Sequence, residues 1–266
     1  MSFLNLSSEI AKTFAFTYRN VTMTKRNVFL LGDMLYWPFI AVLSIGFMLA
    51  YLQIGTRDAA VVLSGVVAMS VLQPCQLDVS YVLLFDMWSK SMKHTLVAPV
   101  GRRHYIVGAW LFGMFRGTVT FMALVALIRW LFKFDILQAG IGPTIVFLSG
   151  LFLSGLFIGL LIIILLYSFG MRAEIAAWSI VSVLMIVCGI YYPVEILPPA
   201  ARMLGQAIPL TWFLDAFRQA FGLRGHEHAA LKGYALSAVY MAGLYMLVML
   251  SEKRARRRGT ILKMSE

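Results

Sequence analysis

"TIVFLSGLFLSGLFIGLLIIILLYS", residues 144–168, carries no charged side chain and no proline. It exceeds the roughly 20 residues that a helix needs to cross about 30 Å of hydrocarbon. It is too long and continuous for a strand and lacks the alternation of a membrane barrel. Five further apolar runs share its character, at 28–53, 60–84, 105–131, 174–194 and 231–250. The expected fold is all-α, a polytopic membrane protein with six transmembrane helices. Composition agrees: 61% of residues are hydrophobic, 13% are charged and the mean hydropathy is +0.82. A soluble domain has no way to hide that much apolar surface from water.

The formal net charge of +11 does not point to nucleic acid, because no aromatic-interleaved basic domain is present. The basic residues sit instead in short gaps and at the C-terminus. Lys12, Arg19, Lys25 and Arg26 precede the first run, and Lys90, Lys93, Arg102 and Arg103 follow the second. Arg172 follows the fourth, and the tail reads "EKRARRRGTILK". The opposite gaps hold about half as many, which places both termini in the cytoplasm of a cytoplasmic (inner) membrane protein. Cys75 and Cys188 lie in apolar runs without motif spacing, so they suggest neither a disulfide framework nor a zinc site.

Residues 1–26 read differently. Phe3, Leu6, Ile10, Phe14 and Val21 recur at helical spacing, while Glu9, Lys12, Arg19 and Asn20 take other faces. Such a helix lies in the headgroup plane. Charges interrupt any signal-peptide core, and no small-residue cleavage site precedes the first run. The expected organisation is a single domain over 1–266: an interfacial helix (1–26), a six-span bundle (28–250) and a basic cytoplasmic tail (251–266).

The gap between the second and third runs, "FDMWSKSMKHTLVAPVGRRHYIVGAW" at 85–110, is amphipathic before proline and glycine break it. Met87, Trp88, Met92, Leu96 and Val97 are apolar there; Asp86, Lys90, Lys93 and His94 are polar. A short helix of this kind suits docking into a groove on a cytosolic protein. On "HTLVAPVGRRHYIVG" (94–108), taken with "GIYYPVEILPPAARMLGQAIPLTWFLDAFRQAFG" (189–222), the chain resembles the membrane subunit of ABC-2 type transporters. The tyrosine–proline pair, the following "LP" and the ending "IPLTWFLDAFR" match that family in order and spacing, and the resemblance covers nearly the whole chain. Gly101 stands where the family often has serine.

The resemblance implies one half of an exporter. Two six-span subunits pair, expected here as a homodimer, above two copies of a cytosolic ABC ATPase. The segment at about 86–97 (Asp86, Met87, Trp88, Lys90, Met92, Lys93, Leu96) would be the coupling helix. No GxxxxGK[ST] loop occurs in the chain, so ATP and Mg are expected on the partner and no cofactor on this subunit. Family members move polysaccharides, lipid-linked glycans, drugs and small amphiphiles, so the substrate stays open.

Residues 191–222 hold four prolines among aromatics. Backbone that leaves the helix at membrane depth is tolerated only where protein or water satisfies it. Pro193, Pro198, Pro199 and Pro209 therefore suggest a helical hairpin dipping back from the outer face and closing the pathway. Tyr191, Tyr192, Trp212, Phe213 and Phe217 suit the headgroup level, and Asp215 and Arg218, three apart on a helix, can pair locally. Gln73, Pro74, Gln76 and Asp78 make the second run the most polar and the one expected to bend and face the interior. Unpaired charges inside a span are costly, so Asp78 and Arg116 either line the pathway or take partners. Gly113 and Gly117, with Gly155 and Gly159, give two GxxxG spacings that permit close helix approach. "GHEH" around Glu227 lacks a third ligand, and no metal site is expected. Two other classes fit less well. A lipid or glycan transferase needs a titratable cluster at one membrane face, and an ion-coupled carrier needs several intramembrane acids in matching halves.

Overall fold

The computed structural model describes residues 3–26, 28–92 and 100–257. Among them are helices and turns with no strand. In chain order they are α1 (Phe3–Arg26), α2 (Val28–Tyr51), α3 (Thr56–Trp88), α4 (Arg102–Phe132) and α5 (Ile141–Phe169). Then come α6 (Ala176–Val187), α7 (Pro199–Gln206), α8 (Pro209–Gln219) and α9 (Ala229–Arg257). Five of them, α2, α3, α4, α5 and α9, are long and apolar enough to cross a membrane. The protein is a multi-pass membrane protein.

The fifth expected span is shorter than 174–194. Its helix, α6, has 12 residues, about 18 Å at 1.5 Å per residue, which is well short of the hydrocarbon thickness. The cause is local. Gly189 adopts φ +62, a left-handed conformation that costs glycine nothing. Its N–H donates to Ile186 O at 3.4 Å and the Ile190 N–H to Met185 O at 3.3 Å, the paired bonds of a Schellman stop. Residues 188–193 thus turn the chain, and α7 and α8 follow as a short hairpin before α9.

α3 is the spine. It packs on α2, α4, α5, α6 and α8, is the most buried of the long helices, and runs unbroken through Pro74. Small residues set how closely its neighbours approach. Gly113 of α4 and Gly155 of α5 both lie against Cys75, Gly117 against Val71, and Gly159 against Val79. Both GxxxG spacings are therefore used, and the Cys75 thiol is sealed at a three-helix junction. α1 lies along α4, with the Thr17 hydroxyl donating to Gly108 O at 2.9 Å. Its Ile10, Phe14 and Tyr18 are exposed, as an interfacial helix requires. The first part of the expected tail, 251–257, extends α9, and 258–266 lie outside the described residues.

One end of the bundle gathers charge: Arg102 at the start of α4 meets Glu252 near the end of α9 at 2.9 Å, and Arg19 of α1 meets Asp86 of α3 at 2.7 Å. We call this the basic end; α7 and α8 form the hairpin end.

Gly65 of α3 lies against the Ile190 carbonyl, where a Cβ would collide with backbone. Gly243 of α9 has no neighbour within 4 Å of its added Cβ position. Gly65→Ala is expected to destabilise by about 1–3 kcal/mol, the usual cost of overpacking, and Gly243→Ala to be neutral. Thermal unfolding in detergent checks this; equal midpoints for the two variants would contradict the packing.

Candidate functional site

The turn after α6 poses the main chemical problem. It packs at Gly65, nine residues into α3, about 13 Å along that helix. The carbonyls of the turn that follows the helix have no intrahelical donors, and hydrocarbon offers none. Arg218 of α8 supplies them. Its Nη1 donates to Gly189 O at 2.9 Å and to Tyr192 O at 3.3 Å, and its Nη2 donates to Ile190 O and, at 3.4 Å, to Val61 O of α3. The guanidinium is buried, and its planar fork can serve several acceptors at once.

Other side chains of the segment finish the task. Tyr192 Oη donates to Ile186 O at 2.7 Å, Thr211 Oγ1 to Gly205 O at 2.6 Å, and Trp212 Nε1 to Gln206 O at 2.7 Å. Pro193 precedes a 3-10 turn, Pro198 caps α7, and Pro209 opens α8, where a missing N–H costs nothing. Tyr191 is half-buried beside Gly65.

Two expectations for this segment are corrected. Asp215 does not pair with Arg218, because the guanidinium is drawn to the orphan carbonyls; Asp215 Oδ2 instead accepts from the His226 N–H at 2.9 Å and lies 3.0 Å from its Nδ1. Phe213 and Phe217 do not present their rings to the surface but are fully buried in the protein. The Phe213 ring fills the space left by Gly150 and Gly233, and Phe217 stacks on Phe147 at 4.1 Å. Glycines on α5 and α9 opposite an aromatic helix carried that signal.

Within the bundle, Asp78 Oδ1 and Arg116 Nη1 pair at 2.6 Å, both buried. Each takes a partner, as one of the two sequence readings required, and both also line a cavity of about 290 Å³ bounded by the end of α1. Gln76 is spent on structure: its Nε2 donates to Ala177 O of α6 at 2.9 Å. Gln73 is half-buried.

At the basic end the expected helix over 86–97 is not continuous. Asp86, Met87 and Trp88 complete α3, and Lys90 turns the chain with φ +55. Asp86 is buried, bound by Arg19 and by Ser91 Oγ at 3.0 Å; Met87 and Met92 are buried too. Trp88 is 42% exposed. Lys93 and Leu96 fall within 93–99, outside the described residues. A second clamp holds α1 to α4. His104 Nδ1 accepts from the Gly101 N–H at 2.9 Å, so Nε2 carries the proton that it donates to Glu9 Oε2 at 3.0 Å. Arg103 also binds that oxygen, and Lys12 lies 2.9 Å from Oε1. These partners, Lys12 and His104 first, hold the Glu9 carboxyl down at about 2.

Arg218→Met strands several buried carbonyls at about 1–3 kcal/mol each and is expected to lower the thermal midpoint steeply. Arg218→Lys should recover part of the loss and Asp215→Asn should lose little; an Arg218→Met protein as stable as wild type would refute the role. The Glu9 clamp behaves as a depressed carboxylate: its contribution is whole above pH 4.5 and fades as pH falls toward 2. A spin label at Phe14 should keep constant mobility from pH 7 to 5 and loosen only below, whereas in Glu9→Gln it should be loose throughout.

A family model described as ABC-2 type transporter matches residues 11–221. A protein of Archaeoglobus fulgidus, named only as uncharacterized, is 32% identical over 59 residues, covering 22% of this chain and 92% of that one. With most of its length matched, the chain belongs to the ABC-2 type transporter family, as a membrane-embedded permease component of an ABC transporter that is not itself catalytic.

Proposed function

We propose that the chain is the membrane half of an ATP-driven exporter of an amphiphilic substrate, worked by a separate cytosolic ABC ATPase that holds ATP and Mg. Two copies of the permease and two of the ATPase would form the unit. The basic end faces the cytoplasm of a cytoplasmic membrane in this reading, in keeping with the Lys and Arg bias, and the hairpin end faces out.

The observation that carries this reading is the seating of the loop between α3 and α4. On one side Asp86 ties the end of α3 to Arg19 of α1. On the other, Arg102 ties the start of α4 to Glu252 of α9. A push on residues 89–99 from an ATPase cleft would therefore move four helices together. With Asp86, Met87 and Met92 turned inward, Trp88 and Lys90 are the exposed part of the docking surface among the described residues. Alternating access would follow from rocking two such bundles about their shared interface.

The hairpin is the outer gate in this scheme. α6 stops short, and α7 and α8 fill the space beyond it, so a substrate leaving along α3 must pass them. Most of their polar groups are met from within the segment, while Arg218 also reaches Val61 O of α3, so a displacement of α3 would carry the hairpin with it.

The test uses the permease co-expressed with its ATPase in inverted vesicles. Trp88→Glu with Lys90→Glu is expected to abolish ATPase co-purification and ATP-driven uptake of a fluorescent amphiphile. Oxidised cysteine pairs across residues 196–212 are expected to stop uptake while the ATPase stays bound. Uptake without the ATPase, or uptake unimpaired by those crosslinks, would overturn the reading.

A further inference from the structure

The second half of α9 divides cleanly by face. Leu244, Val248, Ser251, Glu252 and Ala255 point inward and are buried. Met246, Leu247 and Leu250 point outward and are exposed. Lys253, Arg254 and Arg257, exposed as well, continue that outward stripe at helical spacing. One strip of surface is thus apolar along the span and basic just past it. Leu250 is the last large apolar residue of α9. At 1.5 Å per residue, Lys253 lies about 4.5 Å beyond it and Arg257 about 10 Å, the depth of the headgroup layer that borders the hydrocarbon.

Among the described residues, nothing neutralises the basic part of the strip. Glu252 is the one acidic side chain of α9; it faces inward and is held by Arg102 at 2.9 Å and by Arg256 at 2.8 Å. Lys253, Arg254 and Arg257 have no acidic partner among the described residues. Lys253 and Arg257 are four apart and Arg254 and Arg257 three apart, like-charge spacings that cost helix stability. An anion set against all three would remove that repulsion. The apolar stripe says which anion. A soluble acidic protein would meet the charges and leave Met246, Leu247 and Leu250 uncovered. A second copy packed in parallel through the same face would set the two basic ends against each other. A phospholipid covers both parts of the strip, chains on the one and phosphate on the other.

We propose that this face of α9 is a binding site for an anionic phospholipid, with its acyl chains along Met246, Leu247 and Leu250 and its phosphate on Lys253, Arg254 and Arg257. A zwitterionic phospholipid offers the same phosphate but brings its own ammonium, which cancels the attraction; selection is therefore by net charge. Glu252, on the opposite side of the same turn, holds Arg102 at the start of α4. The bound phosphate thereby fixes the depth of the turn that joins α9 to α4. The site does not depend on the exporter reading, since binding needs neither the ATPase nor transport.

Quenching by brominated lipid tests it. Cys75 and Cys188 are buried, so a fluorophore on Met246→Cys reports from this face alone. The full-length chain is reconstituted in mixtures of phosphatidylglycerol and phosphatidylcholine of identical acyl length, with only one of the two dibrominated, and quenching gives their relative affinity at the label. Each basic side chain near an anionic headgroup adds about fivefold, so phosphatidylglycerol is expected to be preferred by more than about tenfold. Arg254→Gln should lose about fivefold of that preference, and Arg254→Lys should keep it. Lys253→Gln, Arg254→Gln and Arg257→Gln together, all at exposed positions, should bring the two lipids to near equality. Lys232→Gln, the same change of charge at the other end of α9, should leave the preference whole. In about 1 M salt, where the Debye length falls to about 3 Å, the preference should shrink. Equal affinities in the wild type, a preference that survives the triple variant, an equal loss in Lys232→Gln, or a preference indifferent to salt would each overturn the site. Quenching by neither lipid would show the face covered by protein and would overturn it too. Displacement of the lipid by soluble glycerol phosphate at the same concentration would overturn the lipid as the ligand.

Discussion

Everything at the hairpin end depends on one guanidinium. A helix that stops inside a bilayer would expose carbonyls that neither water nor lipid can satisfy, and α6 stops after 12 residues because Gly189 turns it. Arg218 binds three carbonyls of that turn and a fourth on α3, so the break in α6, the placement of α8 and the wall of α3 form one structure. The desolvation of a buried charge is offset by hydrogen bonds to polar groups that would otherwise be stranded. An ion pair with Asp215 would have neutralised the charge and left those carbonyls open. Asp215 is accordingly free to fasten the loop at His226.

α3 connects the two ends. From the hairpin end toward the basic end it meets the α6 turn at Gly65, the junction with α4 and α5 at Cys75, α6 again through Gln76, and α1 through Asp86. A rigid, largely buried rod with few lipid-facing residues can carry a displacement from loop to hairpin without deforming, because packed interiors shift as units. That is a physical requirement of any permease that receives its work at one face and releases substrate at the other.

Much of this was legible in the sequence. Long apolar runs identify α2, α3, α4, α5 and α9, since nothing but a bilayer explains them. The amphipathic spacing of Ile10 and Phe14 marks α1. The fifth run, 174–194, misled, because hydropathy does not distinguish a helix from an apolar turn: "CGIYYP" reads as greasy as "MIVCG", yet Gly189 ends the helix. The partner of Arg218 was also out of reach. Residue spacing suggested Asp215, while the true partners are backbone carbonyls, which every residue carries and no pattern singles out. The pairing of Asp78 with Arg116 was one of two open readings, since two charges on separate runs meet only if α3 and α4 are neighbours in the right register. The buried state of Phe213 had a signal, Gly150 and Gly233 on facing helices, but glycines are common in membrane helices and point to no partner by themselves.

The depth of the α6 turn is the most direct test of the central claim. Spin labels at Ile186, one turn before the break and facing outward, and at Met203 on α7 can be compared in liposomes by power saturation with oxygen and with a water-soluble nickel chelate. The account requires the Ile186 label to lie in hydrocarbon, relaxed by oxygen and untouched by the chelate, with the Met203 label shallower. An Ile186 label that the chelate relaxes as strongly as it does Met203 would place the turn in water, and Arg218 would then have no orphaned carbonyls to rescue.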